Sequence, residues 1–198
     1  MLGASPMQRV MRELRRRGVD PGTLDAIELF GGTGMFHTLD YAPLVASLEI
    51  WEIDPERAGR LRRNLPQAKI SITDSYRAVK NASKRYGLIV VDNPMAIEGE
   101  HAEHFDLFPD LFGIMADRAI MIINVIPGIE QSDLLRYPYL FNERHLAARG
   151  AFYGAPTLAL PHLAQTYETL ARGHGLTTAW HFFQKRHFVY YLVMMLEG

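Results

Sequence analysis

Short apolar runs alternate along this chain with stretches whose apolar residues recur every three or four positions. The first type reads as buried strand and the second as amphipathic helix. Residues 5–17 open with a helical pattern: Met7, Val10, Met11 and Leu14 share one side, Ser5 can cap, Pro6 suits the first turn, and Gly18 ends it. Val19-Asp20-Pro21-Gly22 is a turn. Strand and helix signals then alternate. Strands are expected at 26–30, 48–53, 69–73, 87–92 and 119–125. Helices are expected after Gly34 as far as Pro43, and over 55–65, 75–84 and 103–115, with Asp54 capping the second of these. The run at 87–92 is continuously apolar, as suits a parallel strand covered on both faces.

The alternation breaks at 126–160, which is rich in proline, glycine and aromatics and has no steady period. So long an irregular stretch reads as an insertion or a lid. A helix is expected over 162–173, then two strands at 176–184 and 188–196. Lys185-Arg186-His187 is too short a connection for anything but an antiparallel pair. The expected fold is therefore α/β: a Rossmann-like, seven-stranded, mostly parallel sheet with helices on both faces and a C-terminal antiparallel hairpin. One domain spans 1–198, with residues 1–22 as an N-terminal helix and turn.

Composition narrows the chemistry. Net charge is −1, so no global field draws the chain to nucleic acid or membrane. The chain has no cysteine, which removes disulfides, thiolate metal sites and a cysteine nucleophile. No apolar run is long enough for a membrane span or a signal peptide, and a soluble cytoplasmic protein is the expectation. Arg9, Arg12 and Arg16 lie on one helical face, which is a solvated surface or a phosphate contact.

The chemistry concentrates at the strand ends. Ala26-Ile-Glu-Leu-Phe-Gly-Gly-Thr-Gly34 carries a strand into a loop with three glycines, whose bare backbone can approach an anion or a ribose. Glu28 is an acid on the strand itself. Glu52 and Asp54 end the second strand about 20 residues past the glycines, where an acid can take both ribose hydroxyls. Asp74 ends the third strand and Asp92-Asn93-Pro94 the fourth. A dinucleotide fingerprint needs a third glycine where His37 stands, and a Walker loop needs a Lys-Ser or Lys-Thr that is absent. His37 itself reads as a packing or capping residue. His101 and His104 sit among Glu98, Glu100 and Glu103, and a solvated loop, a substrate contact and a metal site remain open there.

Taken together, these strand ends resemble class I S-adenosylmethionine-dependent methyltransferases. Glu28-Leu-Phe-Gly-Gly-Thr-Gly34 is similar to their first motif, in the form found in amino-methyltransferases of DNA and ribosomal RNA. Trp51-Glu-Ile-Asp-Pro55 resembles the ribose motif, Thr73-Asp-Ser75 the adenine motif, and Asp92-Asn-Pro-Met95 the fourth motif, with Asn93 in place of a proline and Met95 in place of an aromatic. The resemblance implies S-adenosylmethionine as cofactor, held by Glu28, Phe30, Gly31, Gly32, Gly34, Glu52, Ile53, Asp74, Ser75 and Asp92. It implies Asp92, Asn93 and Pro94 as catalytic residues, and no metal. The acceptor is expected to be a nitrogen or oxygen, with a nucleic-acid base amine (RNA or DNA) slightly favoured. A small molecule under a 126–160 lid, or a binding protein without turnover, is the alternative. Residues 126–160 also stand as a homodimer contact.

Overall fold

A computed structural model describes residues 3–93, 97–128, 135–136, 142–155 and 157–198. Helix α1 (Pro6–Arg16) starts as expected at Ser5, whose hydroxyl accepts from the Gln8 N–H, while the Gln8 side chain caps back onto the Ser5 N–H. Strands β1 (Asp25–Leu29) and β2 (Ser47–Glu52) flank the short helix α2 (Thr38–Tyr41). Helix α3 (Ala58–Asn64), β3 (Lys69–Ile72), α4 (Ser75–Asn81) and β4 (Tyr86–Val91) continue the alternation. A small hairpin of β5 (Ile97–Glu98) and β6 (His101–Ala102) precedes the long strand β7 (Met115–Val125). Helices α5 (Glu143–Tyr153) and α6 (Leu160–Gly173) lead to β8 (Thr177–Arg186) and β9 (Val189–Glu197).

The main sheet has seven strands in the order β3-β2-β1-β4-β7-β9-β8. The β3, β2, β1, β4 and β7 neighbours pair in parallel, and β9 is antiparallel to both β7 and β8. Strand order reverses between β1 and β4, and in open α/β sheets ligands bind beyond the carboxyl ends at such a point. The sheet separates two apolar layers. Ile27, Leu29, Ile89, Val91, Met121 and Ile123 face α4 and α6. Ala26, Ile50, Leu88, Val90, Ile120 and Ile122 face α1 and α3. The period of two along strands apolar on both faces is what a doubly covered sheet requires.

Two expectations fail locally. Residues 103–115 do not form one helix. They make two 3₁₀ turns, Phe105–Leu107 and Asp110–Ile114, and β7 begins at Met115 rather than Ala119. Pro109 removes a backbone donor in the middle of the expected helix. The irregular stretch 126–160 contains a regular helix, α5. Its buried stripe is His145, Arg149 and Tyr153, at spacings of four. The helical period is present, but two of its three members are polar and escape a search for apolar periodicity.

Candidate functional site

The carboxyl ends of β1, β2 and β4 and the residues just past β3 frame a cleft of ≈ 350 Å³. This size falls in the ~300–1,000 Å³ range of small-molecule sites. Its lining contains Glu28, Phe30, Gly31, Gly32, Gly34, Glu52, Ile53, Asp74, Ser75, Asp92 and Asn93, so the strand-end residues singled out from sequence converge on one space. Pro94 and Met95 lie outside the described residues.

The glycine loop is fixed from below. The Gly31 N–H donates to the Trp51 carbonyl (3.0 Å) and the Gly34 N–H to the Gly31 carbonyl (3.0 Å). A Cβ on Gly31 would stand 2.1 Å from Ile50 Cγ2, and one on Gly34 (φ +67°) 2.5 Å from Leu65 Cδ1, so a side chain at either position would force its neighbour to move. Gly32 differs: a Cβ there meets nothing within 4 Å, but its φ of +57° disfavours any L side chain. Phe30 carries the same strain without being glycine, at φ 65°, and its ring packs against Tyr76 at 5.3 Å. Asn64 Nδ2 ties α3 to the loop by donating to the Thr33 carbonyl (2.8 Å).

Glu52 spans the loop and the next turn. One carboxylate oxygen accepts from the Gly32 N–H (2.6 Å) and the other from the Asp54 N–H (2.9 Å). Each oxygen keeps a second lone pair, so the carboxylate can still receive a pair of vicinal hydroxyls. Ile53, beside it, is 47% exposed, and Met35 (58%) and Phe36 (74%) add apolar surface to the lining. Asp74 caps α4 by accepting from the Tyr76 N–H (2.9 Å) and meets Arg77 at 3.4 Å.

Glu28 is engaged by the protein itself. Its two oxygens accept from Thr38 Oγ1 (2.9 Å) and Tyr41 Oη (2.5 Å), and His37 Nε2 stands 3.2 Å away. The other nitrogen of His37 lies against Asp92 Oδ2. Asp92 also accepts from Arg186 Nη1 (3.0 and 3.3 Å to its two oxygens), and Arg186 donates to Tyr191 Oη (3.2 Å). Charges thus alternate along one row: Glu28 on β1, His37 in the loop before α2, Asp92 just past β4 and Arg186 on β8. Burial alone would lower the His37 pKa, but the Glu28 and Asp92 carboxylates raise it from 6.5 to about 10, so the imidazole is a cation. Burial would raise Asp92, yet His37 and Arg186 hold it below the ordinary carboxylate range. Tyr41 and Tyr191 are pushed up by burial and stay protonated.

Behind this row lies a second buried polar cluster. Glu103, at φ 48°, accepts on one oxygen from His145 Nε2 (2.5 Å) and Arg149 Nη1 (3.3 Å). The Glu103 carbonyl accepts from Asn93 Nδ2 (2.7 Å) and from Tyr76 Oη. Burial favours a neutral Glu103, but the His145 hydrogen bond and the Arg149 charge lower its pKa. His104 is lowered to about 4 by burial and bonds Tyr167 Oη (2.5 Å). The histidines of the 98–104 stretch therefore serve separate purposes, His101 pairing with Asp106 at 2.7 Å. Among the described residues no group of acids and histidines is arranged to hold a metal ion.

Sequence reasoning placed the strand-end acids but missed His37, Tyr41 and Arg186 as partners of Glu28 and Asp92, and Glu103 as the partner of Asn93. Arg186 is far from Asp92 in sequence and only the β7-β9-β8 pairing brings it across. For His37 a signal existed: it stands in the loop that follows the glycines, between two acid-ended strands.

No family model matches the chain, and no curated protein matches it. Solved structures do. Magnesium protoporphyrin IX methyltransferase of Synechocystis PCC 6803, with S-adenosylhomocysteine bound, superposes over 97% of this chain and 82% of its own at a TM-score of 0.62 and 15% identity. The N-methyltransferase NodS of Bradyrhizobium japonicum WM9, also with S-adenosylhomocysteine, covers 100% of this chain and 90% of its own (TM-score 0.61, 15% identity). PH1948 of Pyrococcus horikoshii, a candidate RNA methyltransferase, covers 97% and 83% (TM-score 0.59, 16% identity). The strand order, the terminal antiparallel pair and these superpositions establish that the chain has the Rossmann-like fold of class I S-adenosylmethionine-dependent methyltransferases.

Proposed function

We propose that this protein is an S-adenosylmethionine-dependent methyltransferase whose acceptor is an amine nitrogen of a nucleic-acid base. The cleft fits the donor on its own chemistry. Glu52 offers free lone pairs where a ribose would lie, and Ile53 offers an exposed apolar face beside it. Gly32 has open space above its backbone, and Asp74 and Ser75 stand at the adenine end. When bound, S-adenosylmethionine supplies a methyl group already activated by the sulfonium.

The chain's own residues then have the task of alignment and exclusion of water. Asn93 carries the acceptor reading. Its Nδ2 is committed to the Glu103 carbonyl, so its Oδ1 is the atom left to accept a hydrogen from an amine in the cleft. Asp92, held ionised by His37 and Arg186, keeps one lone pair on Oδ1 for a second amine hydrogen or for the proton lost after transfer. Phe36 is exposed on the cleft lining and offers the aromatic face that Met95 cannot. Glu28 does not fit a direct role at the donor's ammonium. Its oxygens serve Thr38, Tyr41 and His37, and it acts by fixing His37.

A small-molecule acceptor beneath a 126–160 lid is weakened by α5, whose buried His145 Nε2 and Arg149 guanidinium are bonded to Glu103 and the Ile126 carbonyl in the interior. The deciding experiment is transfer of radiolabelled methyl from the donor into a cell extract fractionated into RNA, DNA and metabolites. Label is expected in a nucleic-acid fraction. Label in metabolites alone would overturn the acceptor, and donor binding without any label would mark a binding protein.

A further inference from the structure

We infer that the groove between α1 and the edge strand β8 is a docking track for a single-stranded nucleic acid, leading its backbone to the Asp92 corner of the cleft. The inference rests on the nucleic-acid reading of the acceptor. The chain is nearly neutral overall, but residues 9–17 hold five arginines and one glutamate. Arg9, Arg12 and Arg16 are exposed and line a groove of ≈ 440 Å³ whose other wall is Phe182, Phe183 and Gln184. Glu13, the single acid, is neutralised by Arg17 at 3.0 Å and Arg16 at 3.6 Å.

The direction of the groove is set by its two ends. At one end Ser5 Oγ and Gln8 Nε2 bind Asp40 of α2 (2.6 and 3.0 Å), which places the start of α1 beside the loop that closes the cleft. At the other end Arg17 lies over the Trp180 and Phe182 rings (4.8 and 5.0 Å). Along β8 the α1-facing side chains run Trp180, Phe182, Gln184, Arg186, and the last of these is bonded to Asp92. The row of cations on α1 spans about 10 Å of helix and ends where the acceptor would enter. A cationic groove with an apolar floor is the form that follows a strand's phosphates without reading its sequence. Outside residues 9–17 the formal charge is −5, which confines the polyanion to this face.

The test is fluorescence anisotropy with labelled oligo(U) RNA and oligo(dT) DNA of roughly 16 nucleotides, the upper end of single-strand site sizes, with no donor present. The wild-type chain should bind at least one, and log K should fall with log salt by about 0.7 per phosphate neutralised. The triple reversal R9E/R12E/R16E should bind at least 10-fold more weakly with a slope shallower by about 2. It should keep wild-type affinity for S-adenosylhomocysteine, which shows that the cleft is intact. Unchanged oligonucleotide binding by the triple variant overturns the track, as does failure of the wild type to bind either strand or capture of phosphatidylserine vesicles in their place. Groove-dependent binding with no methyl transfer to nucleic acid would sink the acceptor reading alone. Transfer with groove-independent binding would sink the track alone.

Discussion

The imidazole of His37 stands against the carboxylate of Asp92, with its other nitrogen 3.2 Å from Glu28. One cation thus compensates two buried carboxylates at the ends of neighbouring strands, β1 and β4. Removing it leaves Asp92 with Arg186 alone and Glu28 with only the Thr38 and Tyr41 hydroxyls. H37Q should destabilise the fold by ~3–5 kcal/mol, the usual cost of breaking a buried pair, measured by chemical denaturation.

The same pair predicts a pH dependence. The folded His37 pKa, about 10, lies above the ordinary histidine value of 6.5. Its stabilisation is therefore fully present below pH about 6.5 and is lost as pH rises toward about 10. Wild-type Tm should fall across that window, and H37Q should show a flatter profile. Parallel profiles for the two proteins would remove His37 as the titrating group.

Glu52 is expected to dominate donor affinity. E52A removes the acceptor of the Gly32 and Asp54 N–H groups as well as the proposed ribose contact. Calorimetry with S-adenosylhomocysteine should show a loss of about 100-fold, corresponding to ~2.7 kcal/mol. Unchanged affinity would end the ribose assignment.

Asp92 and Asn93 should separate binding from turnover. D92N and N93A are expected to lower kcat by ~10²-fold or more while changing donor affinity less than ~3-fold, if they act on the acceptor. Equal losses in both quantities would make them donor contacts only. Because D92N also loosens His37 and Arg186, its stability must be read alongside.

The loop glycines give a graded series. G31A and G34A drive a Cβ into Ile50 and Leu65 and should cost ~1–3 kcal/mol or more. G32A meets no atom and should cost only the ~1–2 kcal/mol of a left-handed L residue. Its larger effect should fall on donor affinity, since its Cβ would enter the space above the loop.

The buried ion pair of α5 tests the frame behind the site. R149M leaves Glu103 with His145 as its remaining side-chain partner and should destabilise by ~3–5 kcal/mol. It should also slow turnover through Asn93, which hangs on the Glu103 carbonyl. Full stability in R149M would return α5 to the role of a movable lid.

Local chemistry was enough to set the order of strands and the positions of the strand-end acids. Apolar runs such as Leu88–Val91, the glycine spacing at 31–34 and the caps at Ser5 and Asp54 act within a few residues and are written directly in the chain. The convergence of Glu28, Glu52, Asp74 and Asp92 on one cleft follows from the parallel sheet those runs imply. The charge partners depend on something else. Arg186 reaches Asp92 through strand pairing across three neighbours, and Glu103 reaches Arg149 through the packing of α5. A charged side chain is a surface residue by composition, and it becomes an interior one only when a partner of opposite sign is delivered by the rest of the fold. Short-range chemistry therefore places the ligand-facing backbone and the acids, whereas long-range packing sets which of those acids can meet a ligand and which are already paired.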